Sequence, residues 1–460
     1  MARAKKEAAL TPEERLQAAL VPDWEWPYKL PENWCWTRHN SIMDIVGGAQ
    51  PEKAFFIREP KEGYVQLYQT RDYGENPVPV YIPQKYATKT TDEGDILLAR
   101  YGGSLGKVFK AHKGAYNVAL AKVIILYPEV VDDEFLYLYY YSHFYQDFCI
   151  KAGYGRSAQA GFNKSDLNEL LFPLPPFIEQ QRIVDRIESL FAKLDEAKEK
   201  AQAVVDSFET RKAAILHKAF TGELTAKWRR THGLSLDTWK EVAADFLFEY
   251  VTSGSRGWAK YYDESGAVFI RMGNLDHGTI ELDFSDIQHV KLPNKAEGQR
   301  SRIRKNDILI SITADVGMVG LVRNDDSEGY INQHIALARP VMSESAEFIA
   351  WYLVSDIGLK QMQEKQRGAT KVGLSLNDIR ALQLKIPLIE EQNEILKVIK
   401  MWIEKEQQSQ EAAEAVLDQI DLMKKSILAR AFRGELGTND PSEESAVELL
   451  KQIIEQESSS

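Results

Sequence analysis

Two short segments carry residue types that could do chemistry. Gly102-Gly103-Ser104-Leu105-Gly106-Lys107-Val108 has the look of a phosphate-cradling loop, but three residues separate its outer glycines instead of four and no Ser or Thr follows Lys107. Leu174-Pro175-Pro176-Phe177 resembles the tetrapeptide with which amino-methyltransferases hold a target amine, yet Leu174 stands where an Asn or Asp side chain would have to accept the N–H. Its prolines read as the entrance to a helix. No H-E-x-x-H, G-x-S-x-G or Cys/His cluster occurs, and the two cysteines, Cys35 and Cys149, lack metal spacing. What remains is recognition chemistry: Arg, Lys, Gln and Asn on loops rich in glycine.

The elements that must position those loops are organised by a repeat. Residues 177–225 and 388–436 both follow a proline (Pro176, Pro387), open on Glu179-Gln180-Gln181 or Glu390-Glu391-Gln392, and close on I-L-x-[KR]-A-F-x-G-E-L. Between these ends, apolar residues recur in steps of three and four: Ile183, Ile187, Leu190, Leu194, Ala197, Ala201, Val204, Phe208 and Ile215 in the first copy. In the second they are Ile395, Ile399, Trp402, Ala413, Val416, Ile420, Met423 and Ile427. Heptads held this long predict a coiled-coil helix. If the two seams pack on each other, antiparallel pairing is the natural solution, with Arg211, Glu406 and Ser409 as polar register markers; the competing arrangement buries each seam against its own globular domain.

The duplication extends to the rest of the chain. Strands are expected at 63–69, 95–100 and 121–126, an aromatic helix at 135–150, and a last strand at 170–176. The order returns at 267–275, 307–312, 330–338 and 348–355, with Asp307 lying 212 residues after Asp95. The expected fold is therefore α+β: a tandem duplication of a mixed α/β domain followed by a long helix. The expected divisions are an N-terminal helix and connector (1–29), a first globular domain (30–176) and a first helix (177–225). A linker (226–237), a second globular domain (238–387), a second helix (388–436) and an acidic tail with a short helix and fraying end (437–460) complete the chain.

The formal net charge of −11 argues at first against a nucleic-acid partner, but residues 387–460 hold 8 basic and 16 acidic side chains and so account for −8 of it. The globular halves are close to neutral, which leaves room for a local basic face. No apolar run has the length of a membrane span, and two distant cysteines suit a reducing, cytoplasmic setting.

These residues resemble the specificity subunits of type I restriction–modification systems. The resemblance covers nearly the whole chain and is carried by Leu30-Pro31-Glu32-Asn33-Trp34, the two P-x-x-E-[QE]-Q helix starts, both A-F-x-G-E-L ends, Leu224–Arg229 (LTAKWR), and the acidic tail before Val447–Leu450. Ile386-Pro387-Leu388 departs from the Pro-Pro usual at the second helix entry. The resemblance implies a non-catalytic reader of double-stranded DNA. Each half would read one part of a bipartite site, and an antiparallel coiled coil would set the spacing and dock two modification subunits. Those subunits would methylate adenine at N6 with S-adenosylmethionine, and restriction/translocase subunits using ATP and Mg would join them; this chain itself would hold no cofactor or metal. Two other classes stay open on the residues alone: a self-contained methyltransferase or endonuclease, and a coiled-coil scaffold without DNA contact.

If the chain reads DNA, Arg suits guanine edges and Asn or Gln suits adenine. The candidates in the first half are Gln50, Gln69, Arg71, Arg100, Ser104, Lys107, Arg156 and Gln159. In the second half they are Ser255, Arg256, Arg271, Asn274, Thr313, Asn332, Gln333, Arg367, Thr370 and Lys371. The aromatic run Tyr137–Tyr145 is expected to be a buried helix face, and Trp24, Trp26, Trp34 and Trp36 domain-edge packing.

Overall fold

The computed structural model describes residues 11–154, 161–292, 298–324, 328–366 and 373–459. They form two compact units, residues up to 199 together with 417 onward, and residues 200–416. Among the described residues no helix is long and apolar enough to cross a membrane.

Each unit is built on one strand plan. In the first, Cys35–Arg38 pairs antiparallel with Leu171–Leu174. A four-stranded antiparallel sheet runs Met43–Gly47, Leu120–Ile125, Ile96–Ala99, Val108–Lys110, and a second runs Tyr81–Pro83, Tyr64–Tyr68, Gly114–Tyr116, Thr90–Thr91 with its central pair parallel. In the second unit Lys240–Ala243 pairs with Gln383–Ile386. The larger sheet is Phe248–Ser253, Ile335–Pro340, Ile308–Ser311, Val319–Leu321, and the other runs Tyr262–Asp263, Gln288–Val290, Ala267–Ile270, Gly329–Ile331 with only its last pair parallel.

The central strand explains its own sequence. Ile96–Ala99 is buried at all four positions because alternate side chains enter two different cores: Ile96 and Leu98 pack in the main cluster, Leu97 and Ala99 in a smaller one with Tyr116 and Leu120. Ile308 and Ile310 divide from Leu309 in the same way. A strand covered on both faces shows no polar alternation.

The aromatic segment expected as one helix is two, Asp133–Tyr139 and His143–Tyr154. Phe135, Tyr139, Tyr140 and Tyr145 are fully buried, so this face is core. The linker at 226–237 contains a helix, Ala226–Thr231, whose Arg229 is buried. The tail helix runs Ala446–Ser459: Ala446, Leu450 and Ile454 join the core that holds Ala19, and Glu457 pairs with Arg15 at 2.8 Å. Thr11 and Glu14 form the capping box that starts the helix Pro12–Ala19. Of the tryptophans assigned to packing, Trp34 and Trp36 are buried and Trp24 is 85% exposed.

The first long helix is Phe177–Asp206 followed by Phe208–Phe220, interrupted at Ser207, whose side chain bonds back to Ala203 and Val204 carbonyls. The second, Ile389–Ala431, is unbroken. Both stop before a glycine in the left-handed region, Gly222 (φ 85°) and Gly434 (φ 73°), the conformation that ends helices and that glycine adopts without a Cβ clash. In the first unit Asp195 bonds Lys424 (2.6 Å), and Ile183 and Ile187 share a core with Leu428 and Phe432. In the second, Arg211 bonds Glu406 (2.9 Å), and Leu216 and Phe220 share one with Ile395 and Ile399. Rising numbers on one helix meet falling numbers on the other, so within each unit the segments pair antiparallel. They also bury against the globular core, so the two competing arrangements coexist.

Along the stripe, Ile183, Ile187, Ile395, Ile399 and Ile420 are buried, and Leu190, Leu194, Val204, Phe208 and Trp402 half-buried. Val416 is 40% exposed and Met423 47%. The stripe steps four residues from Ala413 to Leu417, then to Ile420 and Lys424, so a spacing of three at Val416 puts the side chain off the seam. Ser409 is exposed and bonds Lys405.

The paired signatures lock each unit together. Glu179, fully buried, accepts bonds from Trp34 Nε1 (2.8 Å), Asn439 Nδ2 (2.7 Å) and Thr438 Oγ1 (3.2 Å). Burial pushes its carboxyl above the usual range against the pull of these donors. Glu391, equally buried, accepts from Trp239 Nε1 (3.0 Å), Thr225 Oγ1 (2.6 Å) and Arg229 Nη1. Each carboxylate thus joins the tryptophan that opens a domain, the start of one helix and the chain just past the end of the other. Removing one partner of a buried ion pair strands the other charge, at a cost of about 3–5 kcal/mol. Glu391→Ala is therefore expected to destabilise the second unit by that amount in urea unfolding followed by tryptophan fluorescence; a loss below about 1 kcal/mol would show that the pair does not hold this junction.

Candidate nucleic-acid interface

The loops at one end of the larger sheet recur in both units on a similar main-chain frame. In the first unit Gly48 N donates to Leu120 O (2.9 Å), Ala49 N to Tyr116 O (3.1 Å), and Asn117 N to Tyr68 O (3.0 Å). A Cβ on Gly48 would lie 2.0 Å from Asn117 O, so only glycine fits. In the second unit Asn332 N donates to Ile270 O (3.1 Å), Ser255 bridges Asn332, and a Cβ on Gly254 would lie 2.1 Å from Ile331 O. Tyr101 bridges Gly161 as Thr313 bridges Gly373. The backbone frame is therefore common to both; the side chains mounted on it differ.

In the second unit the frame encloses a cleft of about 850 Å³ lined by Ser253, Gly254, Ser255, Arg256, Arg300, Thr313, Ala314, Gln333, His334 and Gly373. Four expected site residues, Ser255, Arg256, Thr313 and Gln333, meet there. Among the described residues no acidic side chain lines it, and two arginines do, so their potential favours an anionic ligand. His334 ties two walls together: one ring nitrogen lies 2.6 Å from Thr313 Oγ1 and the other 2.9 Å from Gln333 Nε2. Gln333 Nε2 can only donate, so the ring accepts there and carries its proton on Nδ1, which donates to Thr313. Ala314 at φ 62° sits in the left-handed region on the rim, a conformation that side chains disfavour.

Other candidates serve the frame. Asn274 is 2% exposed; its Oδ1 accepts from Arg271 N (2.9 Å) and its Nδ2 donates to Asp283 O and Asp286 O (2.8 and 3.0 Å). With those atoms engaged it shapes a turn and does not face a ligand. Arg271 is paired with Asp286 (3.1 Å), and Asn332 Oδ1 accepts from His334 N (3.0 Å). In the first unit Gln69 plays the part of Arg271, its N–H donating to Asp72 Oδ2 (2.8 Å). Arg100 stacks on Tyr101 (4.7 Å) and donates from Nη2 to Val118 O (3.1 Å). Arg100 Nε and Gln69 Nε2 are buried with no protein partner among the described residues. Gln50, Arg71 and Lys107 are exposed, and Ser104 is half-buried in a 3-10 turn, Gly102–Ser104. Arg156, Gln159, Arg367, Thr370 and Lys371 lie outside the described residues.

Arg300, on the wall of the cleft, was not among the candidates. The signal for it is the density of positive charge in Arg300-Ser301-Arg302-Ile303-Arg304-Lys305, in a stretch without glycine that loop type alone passes over.

Comparison with known proteins agrees with this architecture. The family model described as type I restriction modification DNA specificity domain matches twice, over residues 31–205 and 237–415. The EcoBI specificity subunit of Escherichia coli is 24% identical over 428 residues, covering 88% of this chain and 86% of that one. The EcoKI specificity subunit of Escherichia coli K12 is 24% identical over 432 residues, covering 89% and 90%. Among solved structures, a chain from a study of type I R-M complex assembly and conformational transition superposes with a TM-score of 0.64 at 19% identity over 89% of this chain and 100% of its own. The HsdS subunit from Thermoanaerobacter tengcongensis gives 0.58 at 18%, covering 89% and 99%; at such identities the likeness establishes the fold. With two matched domains spanning more than half of its length, the chain belongs to the type I restriction modification DNA specificity family, as a specificity subunit that carries both recognition domains in tandem.

Proposed function

We propose that each unit reads one half of a bipartite DNA site through the loops at the end of its larger sheet, and that the two long helices set the gap between the half-sites. The observation that carries this reading is the repeated loop frame: Asn117 and Asn332 make matching main-chain bonds beside glycines, Gly48 and Gly254, that have no room for a Cβ, while the side chains presented there differ. One frame with two dressings suits two dissimilar half-sites. In the second unit Arg256 and Gln333 on the cleft wall are the base-reading pair, since Arg suits guanine edges and Gln suits adenine. Methyl transfer is supplied by two modification subunits with S-adenosylmethionine, and cleavage by restriction/translocase subunits with ATP and Mg, in the cytoplasm. This chain contributes the address.

Expressing the chain with its neighbouring modification subunit and sequencing the host methylome is expected to reveal N6-methyladenine in one bipartite motif with a fixed gap; scattered or absent methylation would overturn the reading. Arg256→Ala and Gln333→Ala are each expected to relax the second half-site by about 1–3 kcal/mol of discrimination and to leave the first unchanged, measured by competition between single-base variants of the motif. Adding one heptad to both helices, which keeps the apolar stripe in phase and adds about 10.5 Å, is expected to widen the gap by about three base pairs at roughly 3.4 Å each. An unchanged gap would show that the helices do not set it.

A further inference from the structure

Beside the cleft of the second unit lies another concavity, of about 440 Å³, lined by Tyr250, Arg300, Arg302, Arg304, Glu328 and Arg339 together with Gln299 and Ile303. Arg300 belongs to the walls of both, so the two hollows adjoin. The sequence explains the arginines' common direction. Ser301 (0% exposed) and Ile303 (9%) point inward, Ser301 bonding Gly298 O and Ile303 N bonding Gly329 O, which leaves Arg300, Arg302 and Arg304 outward. On the extended stretch, Arg302 and Arg304 repeat at about 6.6 Å, two residues of strand rise. Their charges are largely uncommitted. Arg339 is held in a two-point pair by Asp307 (2.7 Å to each oxygen), and Arg302 lies 4.0 Å from Glu328. Arg300 donates to Ser255 Oγ (3.3 Å), and Arg304 has no ion-pair partner among the described residues.

The first unit provides an internal control. Arg304 N donates to Asp307 Oδ2 and Asp92 N to Asp95 Oδ2, both at 2.7 Å, which aligns the two stretches residue for residue. Where the second unit has Arg300, Arg302 and Arg304, the first has Thr88, Thr90 and Asp92. The neighbouring hollow of the first unit is lined by Glu93, Asp95, Asp133 and Glu134 with two lysines. At these three aligned positions the second unit carries three positive charges and the first none.

Building on the specificity reading above, we infer that Arg300, Arg302 and Arg304 form a comb that grips consecutive phosphates of one DNA strand beside the second half-site, and that the first recognition domain has no counterpart. The comb positions the duplex and carries no sequence information, because phosphates are alike at every base. It makes the two half-sites unequal: the second is held mainly by charge, and the first depends more on its base contacts.

The test uses the complex purified with its modification subunits and a duplex carrying the motif found by methylome sequencing, with binding followed by fluorescence anisotropy from 50 to 300 mM KCl. The variant Arg300→Thr/Arg302→Thr/Arg304→Asp, which transplants the first unit's residues, is expected to lower the slope of log K against log salt by about 2.7, three phosphates at roughly 0.9 each. The methylated motif should be unchanged. The all-lysine variant of the same three positions is expected to restore most of the slope, which separates lost charge from lost folding. An unchanged slope with intact wild-type binding would overturn the comb alone, as would an altered second half-site, which would make these arginines base readers. Loss only of stabilisation by inorganic tripolyphosphate in a thermal melt, with the DNA slope intact, would assign the hollow to free phosphates and likewise overturn it. Failure of the wild-type complex to bind the duplex would overturn the specificity reading itself.

Discussion

A carboxylate that cannot reach water holds each half of this protein together. Glu179 and Glu391 are buried completely, and a buried carboxylate is tolerated only when donors surround it. In both units one donor is the indole of the tryptophan that opens the domain, and others come from the chain just past the end of the opposite helix. Three segments far apart in sequence are thereby fixed to one point, and the direction in which each long helix leaves its domain is fixed with them. The neighbouring glutamines repeat the pattern, Gln180 donating to Val130 O and Pro175 O and Gln392 to Pro387 O. The two locks differ in charge. Glu391 has a guanidinium at hand in Arg229, whereas Glu179 relies on neutral donors and a more distant Arg182, and burial raises its carboxyl.

This explains why the helix signatures and the domain cores follow different rules. The E-Q starts are kept in both copies because their side chains make specific bonds at the lock, and the G-E-L ends because a glycine in the left-handed region stops each helix there. The cores need only apolar volume in the right alternation, so the strands Ile96–Ala99 and Ile308–Ser311 do the same work with different residues.

The parts of the fold legible in sequence were those with long periodicity or repetition: the two helices, the duplication, the central strand at Asp95 and Asp307. The short strands at Thr90–Thr91, Val108–Lys110 and Gly114–Tyr116 were not legible, because two or three residues carry no period and their pairing is decided by tertiary partners. The slip at Val416 has a similar origin: in a helix facing water and core by turns, a step of three and a step of four both look apolar until the register is fixed. Loop composition picked out Ser255, Arg256, Thr313 and Gln333, which the fold gathers on one cleft, but also chose Asn274, whose side chain is a turn's internal brace. Residue type says which groups can bond a base; it does not say whether the protein has already used them.

The loop frame around Gly48 and Gly254 is bonded through main-chain atoms, and the glycines are fixed by the closeness of a carbonyl rather than by any ligand. Apart from the His334 tie between Thr313 and Gln333, the side chains that line the hollow are therefore passengers on a self-sufficient backbone. On the reading proposed above, such a protein would trade its vocabulary without rewriting its grammar: substitutions at the cleft wall, or exchange of a whole domain between the two locks, would alter what is recognised and leave the frame standing.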